Sequence, residues 1–147
     1  MTRINSAIPV KNLTDEHLLA EHREIIRITT IFNRSSAKTI NSKIPKEFCL
    51  GTGHVTFFLN KLGFIFTRYT LLYEECKRRG FYVKYYGDNW FTNKAMIDFW
   101  FGYRPTQKEK KMLEERITDR ILNSKKEYFH YYGKQITKQE AIKLLTQ

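Results

Sequence analysis

The sequence predicts an all-α fold, a compact single domain of three main helices and a short C-terminal helix spanning residues 1–147. Three observations carry that reading. Apolar residues recur at helical spacing, helix-capping signals stand ahead of the periodic segments, and the aromatic-rich stretch 81–104 holds too few β-branched residues to force a sheet.

The first helix opens near Thr14 and Asp15, with Leu13 placed as a hydrophobic staple. Leu18, Leu19, Ile25, Ile26, Thr29 and Phe32 continue it with one apolar face. Segment 35–47, with Ser35, Ser36, Asn41, Ser42 and Pro45, reads as a polar connection. A second, strongly hydrophobic helix is expected within Val55 to Arg79. Gly80 is suited to a left-handed cap there, and Lys77, Arg78 and Arg79 complement the negative end of the helix dipole. The third helix starts at Thr106, whose partner in a capping box is Glu109, and runs to about Leu122. Thr137 and Glu140 repeat the signal ahead of Ala141, Ile142, Leu144 and Leu145, which predicts the short C-terminal helix.

Hydrophobic residues make up 41% of the chain and charged residues 28%, the balance of a soluble globular protein. Lys and Arg number 26 against 15 acidic residues, a formal net charge of +11. Such an excess favours a polyanionic partner, because each basic contact to a phosphate releases condensed counterions. The longest apolar stretch, Val55 to Phe66, is broken by Asn60 and Lys61, too short and too polar for a membrane span. The N-terminus lacks the apolar core of a signal peptide, so an intracellular, cytoplasmic protein is expected. Cys49 and Cys76 read as reduced core thiols. His17, His22, His54 and His130 show no metal-ligand spacing with them, and neither metal nor cofactor is expected.

Three constellations could carry chemistry. Removal of Met1 would expose the α-amino group of Thr2, whose ordinary pKa of about 7.7–8.0 lies far below that of a lysine. Nearby cations lower it further, and a neutral amine is a competent nucleophile for Schiff-base chemistry. Next, His17, Glu21 and Glu24 fall on one helix face at spacings of four and three, with Arg23 and Arg27 in an adjacent row. Two arginines four apart can grip successive phosphates, placing Glu24 beside the sugar between them. A solvated amphipathic face would show the same spacing. The third constellation is the basic, aromatic-interleaved tail, with Arg116, Arg120, Lys125, Lys126, Tyr128, Phe129, His130, Tyr131, Tyr132 and Lys134. Its cations can draw in a nucleic-acid backbone and its rings can stack on bases, while some of those rings would equally serve the core. No phosphate-binding glycine loop, nucleophile-elbow serine, dinucleotide fingerprint or two-metal carboxylate cluster is present in the sequence.

Several of these residues fall in blocks that resemble the bacteriophage endonuclease V, or pyrimidine-dimer glycosylase, family. They are Met1-Thr2-Arg3-Ile4-Asn5 with Leu18-Leu19-Ala20-Glu21-His22-Arg23-Glu24-Ile25, then Gly53-His54-Val55-Thr56-Phe57-Phe58, Glu75-Cys76-Lys77-Arg78-Arg79-Gly80-Phe81, and Tyr131-Tyr132-Gly133-Lys134. The resemblance implies a helical domain with its N-terminal arm threaded between helices. It implies excision of cyclobutane pyrimidine dimers followed by strand scission at the abasic site, with the Thr2 amine attacking C1′ and Glu24 handling the developing charge and protons. Arg3, Arg23 and Arg27 match positions that hold DNA phosphates, His17 a histidine near the active centre, and Arg116 with Arg120 a basic pair, the second a lysine in the family's pattern. A monomer acting on damaged double-stranded DNA follows, without membrane or obligatory protein partner. The chain departs from the pattern at Trp90, Phe91, Phe99, Trp100 and Phe101, in the tail before Tyr131, and in about ten residues beyond Ile136. The rival reading is a non-catalytic basic nucleic-acid-binding protein of the same fold.

Overall fold

The computed structural model describes residues 3–147, and among them six α-helices and one two-stranded antiparallel sheet form. Helix α1 (Asp15–Glu24) begins where its cap predicts, the Thr14 hydroxyl accepting the His17 N–H at 3.2 Å. Leu13 and Leu18, on either side of that cap, are both fully buried, as a staple pair should be.

The single long helix expected through Phe32 is divided. The Ile28 and Thr29 N–H groups reach back only three residues, to Ile25 and Ile26, and a separate helix α2 (Arg27–Asn33) follows. Ile25 and Ile26 are adjacent β-branched residues, and the Thr29 hydroxyl takes the Ile26 carbonyl at 2.7 Å. Both segments keep one buried side, with Leu18, Ile25, Ile28 and Phe32 inward and Arg23, Arg27 and Thr30 outward. The expected polar connection 35–47 also needs correction. It contains helix α3 (Ala37–Lys43), capped by the Ser36 side chain and pinned by Ile40, the buried residue of that helix.

Helix α4 (Leu62–Arg78) is the central helix, buried along Leu62, Ile65, Tyr69, Leu72 and Cys76. Gly80 at φ +85° ends it in a Schellman motif, its N–H on Lys77 O and the Phe81 N–H on Cys76 O. Residues 81–104 are irregular, with 3₁₀ turns at Gly87–Phe91 and Lys94–Phe99 that bury Trp90, Met96 and Phe99 and leave Phe91, Ile97 and Phe101 exposed. Helix α5 (Gln107–Asn123) receives the Thr106 cap, but the Glu109 side chain pairs with the Tyr103 hydroxyl. Helix α6 (Lys138–Leu144) has the complete capping box between Thr137 and Glu140.

An unexpected element lies between α5 and α6. Strands β1 (Tyr128–Tyr131) and β2 (Lys134–Thr137) pair in register Tyr128 with Thr137 and Tyr131 with Lys134, so the fold is mostly helical and not all-α. Tyr132 and Gly133 turn the hairpin with φ of +52° and +78°, the sign of a tight primed turn. The strained tyrosine is held from outside the hairpin. The Tyr132 and Gly133 N–H groups both donate to the Asp15 carboxylate, at 3.1 and 2.9 Å, and the Tyr132 hydroxyl donates to Glu75.

Helix α1 packs on α4, the hairpin lies against α1 and α6, and α6 covers α5. Arg79 ties this end together. Its side chain has no exposed surface, bonds Glu75 and Asp15 and the Leu13 carbonyl, and lies 4.8 Å from the ring centres of Tyr131 and Tyr132. Both cysteines are free thiols. No described helix is long and apolar enough to cross a membrane.

Candidate active site

The residues that make the site come from three directions. On α1 the spacing of His17, Ala20, Glu21 and Glu24 puts four side chains on one face. On α5 Arg116 and Arg120, one turn apart, point back at them, and Arg3 and Asn5 arrive from the N-terminal arm. Together they line a narrow cleft of about 20 Å³, the scale of a single water.

Glu24 is 5% exposed, and its carboxylate lies 3.6 Å from the Arg3 Nε. Glu21, one turn earlier, is already committed. Arg68 grips it with two hydrogen bonds of 2.8 and 2.9 Å, and Asn5 donates to the same carboxylate at 3.0 Å. Of the two carboxylates in the cleft, Glu21 is thus held by direct hydrogen bonds, whereas Glu24 faces Arg3 across 3.6 Å.

Positive charge outweighs it. Burial, with Arg120 and Arg3 adding their repulsion, pushes the Arg116 guanidinium down to about 10. Burial is also the main cause that holds His17 down at about 4, with Arg3 and Arg120 contributing, so the ring is neutral at physiological pH. His17 stacks on Phe129 with ring centres 5.8 Å apart, and its Nδ1 lies 2.7 Å from the Thr14 hydroxyl. The Nε atoms of Arg3 and Arg116 are buried without a hydrogen-bond partner among the described residues. Unsatisfied cationic donors are costly, and an anion or oxygen-rich ligand would relieve both.

Arg3, His17, Glu24, Arg116 and Arg120 thus meet in one cleft. Arg23, Arg27, Lys125, Tyr128 and Lys134 are exposed and lie outside its lining. Of the aromatic tail, Phe129 is core, and Tyr131 and Tyr132 are fastened against Arg79, while Tyr128 stays 46% exposed. Thr2 lies outside the described residues. Among those residues no three His, Cys, Asp or Glu side chains assemble as a metal site would need.

Sequence reasoning passed over the groups that hold the arm. Arg68 donates to the Ile8 carbonyl at 2.6 Å as well as to Glu21. Its signal was legible: an arginine between Ile65, Tyr69 and Leu72 on the apolar face of α4 must have a buried partner. His54 accepts the Ile4 N–H at 3.1 Å, which nothing in its spacing foretold.

Fold and cleft define a class: a small, basic, mostly helical protein that presents guanidinium donors around buried carboxylates. Comparison with known families makes the class specific. The family described as pyrimidine dimer DNA glycosylase matches residues 1–89, from the N-terminal arm to just beyond α4. The chain belongs to that family, and DNA is the substrate the family implies.

Proposed function

We propose that this protein is a lesion-specific DNA glycosylase with abasic-site lyase activity, acting as a monomer on double-stranded DNA that carries cyclobutane pyrimidine dimers. The observation that carries the reading is Glu24, a buried carboxylate with an uncommitted cleft before it and three arginines around it. A protein that only coats or bends nucleic acid has no use for a negative charge at the centre of its basic surface.

In this mechanism the N-terminal arm, threaded between the helices, delivers the Thr2 amine. The amine attacks C1′ as the glycosidic bond to the damaged base breaks, and Glu24 stabilises the positive charge that develops on the sugar. Cleavage of the C1′–O4′ bond in that adduct, with O4′ taking up a proton, gives an imine with the sugar ring open. Removal of a C2′ proton, with Glu24 as base, expels the 3′-phosphate and cuts the strand; hydrolysis of the imine then frees the amine. Arg3, Arg116 and Arg120 favour the neutral amine by repelling its protonated form, and they bind phosphate beside the lesion. Arg23 and Arg27 grip the backbone from the outer side of α1 and α2, and Lys125, Tyr128 and Lys134 extend the contact along the hairpin. Extrusion of a base from the duplex opens the path to the buried sugar carbon.

Borohydride reduction of the imine tests this directly. On a duplex with one thymine dimer the expected product is a covalent adduct at the Thr2 nitrogen, absent with undamaged DNA. If Met1 is removed and DNA binds, yet neither the dimer nor an abasic-site duplex is trapped, the reading fails.

A further inference from the structure

A terminal amine can react at one carbon only if the chain behind it is anchored. Ile4 supplies the anchor. Its N–H donates to His54 Nε2 at 3.1 Å, and its carbonyl accepts from Arg116 at 3.3 Å. Two residues separate the Thr2 nitrogen from that N–H, so they span at most about 7 Å of extended chain. Whatever fixes the Ile4 N–H therefore fixes the sphere within which the amine can move.

The histidine is built for this. Its Nδ1 lies 2.9 Å from the Cys49 carbonyl, which can only accept, so Nδ1 carries the proton. The Ile4 N–H can only donate, so Nε2 must be bare. One neutral tautomer satisfies both partners. The ring is 1% exposed and boxed edge-on by Phe48 and Phe58, with centres 5.5 and 5.7 Å away, so it cannot swing aside. The loop beneath it is equally constrained. Gly53 sits at φ +92°, and a Cβ there would come 3.2 Å from the Cys49 sulfur.

The charged groups acting on the ring are Arg116 from α5 and Glu21 from α1, while its own loop presents the Cys49 carbonyl. Burial and Arg116 hold the imidazole down at about 4, which keeps it an acceptor throughout the neutral range. A carboxylate could accept the same N–H, but it would pair with Arg116 and cancel the positive charge that the cleft needs. An uncharged acceptor leaves that charge in place.

We propose that His54 is a positioning residue for the reaction, its neutral imidazole fixing through the Ile4 N–H how far the N-terminal arm reaches toward Glu24. The proposal rests on the amine mechanism above and adds to it the residue that sets the amine's register.

The test compares wild type, His54→Phe and His54→Gln in single-turnover borohydride trapping on a thymine-dimer duplex, with DNA affinity and thermal unfolding measured alongside. His54→Phe keeps the ring's packing but leaves the Ile4 N–H without an acceptor. Trapping should slow about 100-fold, as a misplacement of about 1 Å does, with affinity for the duplex unchanged. His54→Gln, whose side-chain oxygen can accept the N–H, should recover most of the rate. A folded His54→Phe protein that traps at the wild-type rate overturns the proposal. Wild-type protein provides a second measurement, independent of whether the variants fold. By nuclear magnetic resonance the Ile4 amide should be protected from exchange at neutral pH and should shift together with the His54 ring on acidification. An Ile4 amide that exchanges as in an unstructured chain overturns it as well. A wild type that traps neither dimer nor abasic site removes the amine mechanism and this proposal together, whereas trapping by wild type with no effect of His54→Phe removes the proposal alone.

Discussion

Replacing Arg68 by methionine should damage the protein more than any exposed substitution, and by an amount the structure sets. The guanidinium is 5% exposed, and its partner Glu21 is 1% exposed. Methionine fills most of the space but strips Glu21 of two hydrogen bonds and leaves the Ile8 carbonyl without its donor. Only the Asn5 amide then remains on a buried charge. Breaking one side of a buried pair costs about 3–5 kcal/mol, because the surviving charge is left desolvated. For a chain of 147 residues the unfolding entropy is about 0.3 kcal/mol/K, so the melting temperature should fall by about 10–15 °C. Urea and thermal unfolding at pH 7 measure it, for Arg68→Met, Glu21→Gln and the double variant. In the double variant neither orphaned charge exists, and the amide oxygen introduced by Glu21→Gln would still accept from Asn5. Its loss should therefore be smaller than the sum of the single losses by at least about 2 kcal/mol. An Arg68→Met cost below about 1 kcal/mol, or simple additivity in the cycle, would refute the view that this pair anchors the arm's neighbourhood.

Other expectations are as direct. Glu24→Gln should lower single-turnover cleavage at least about 100-fold with DNA binding retained, since it removes the charge that stabilises the sugar cation; a mild effect would assign the chemistry elsewhere. His17 and His54, each held at about 4 against an ordinary 6.5, make stability pH-dependent. The unfolded chain takes up their protons near 6.5 while the fold resists, so stability present above 6.5 should fall as pH drops through about 4, by up to roughly 3 kcal/mol per histidine. Urea midpoints at pH 7, 5.5 and 4.5 would show it, and His54→Gln should remove about half of the histidine-dependent slope. Arg23→Ala, at an exposed site, should weaken damaged and undamaged duplexes alike and reduce the salt slope of binding by about 1. Gly80→Ala forces a Cβ into φ +85° and should cost about 1–2 kcal/mol in a urea titration.

Much of this molecule is legible from its residues. Thr14, Thr106 and Thr137 each begin a helix because a hydroxyl one residue ahead of a periodic segment satisfies an N–H that the helix itself cannot. The cleft is legible for a related reason: helical spacing on α1 and α5 puts His17 with Glu24 and Arg116 with Arg120 on single faces. The hairpin is not legible locally. Tyr132-Gly133 is a poor turn pair by its own preferences, and it turns only because Asp15, 117 residues earlier, accepts the Tyr132 N–H. The same holds for α3, where one cap and one buried isoleucine organise a segment whose composition reads as loop. It holds too for His54, whose task is defined by a backbone N–H fifty residues away. Where a partner is distant in sequence, spacing carries no trace of it.

The bonds from Arg116 to Ile4 and from Asn12 to the Gln147 carbonyl join groups 112 and 135 residues apart. A nascent chain can make neither until its last third has left the ribosome. The arm, synthesised ahead of every helix it touches, thus gains its final tie late, and closing loops of that length slows folding far more than it weakens the product. A chain stalled at residue 89, although it contains the whole family match and the His54 and Arg68 ties, would lack the Arg116 tie to Ile4 and the Arg116–Arg120 wall of the cleft, and should be inactive.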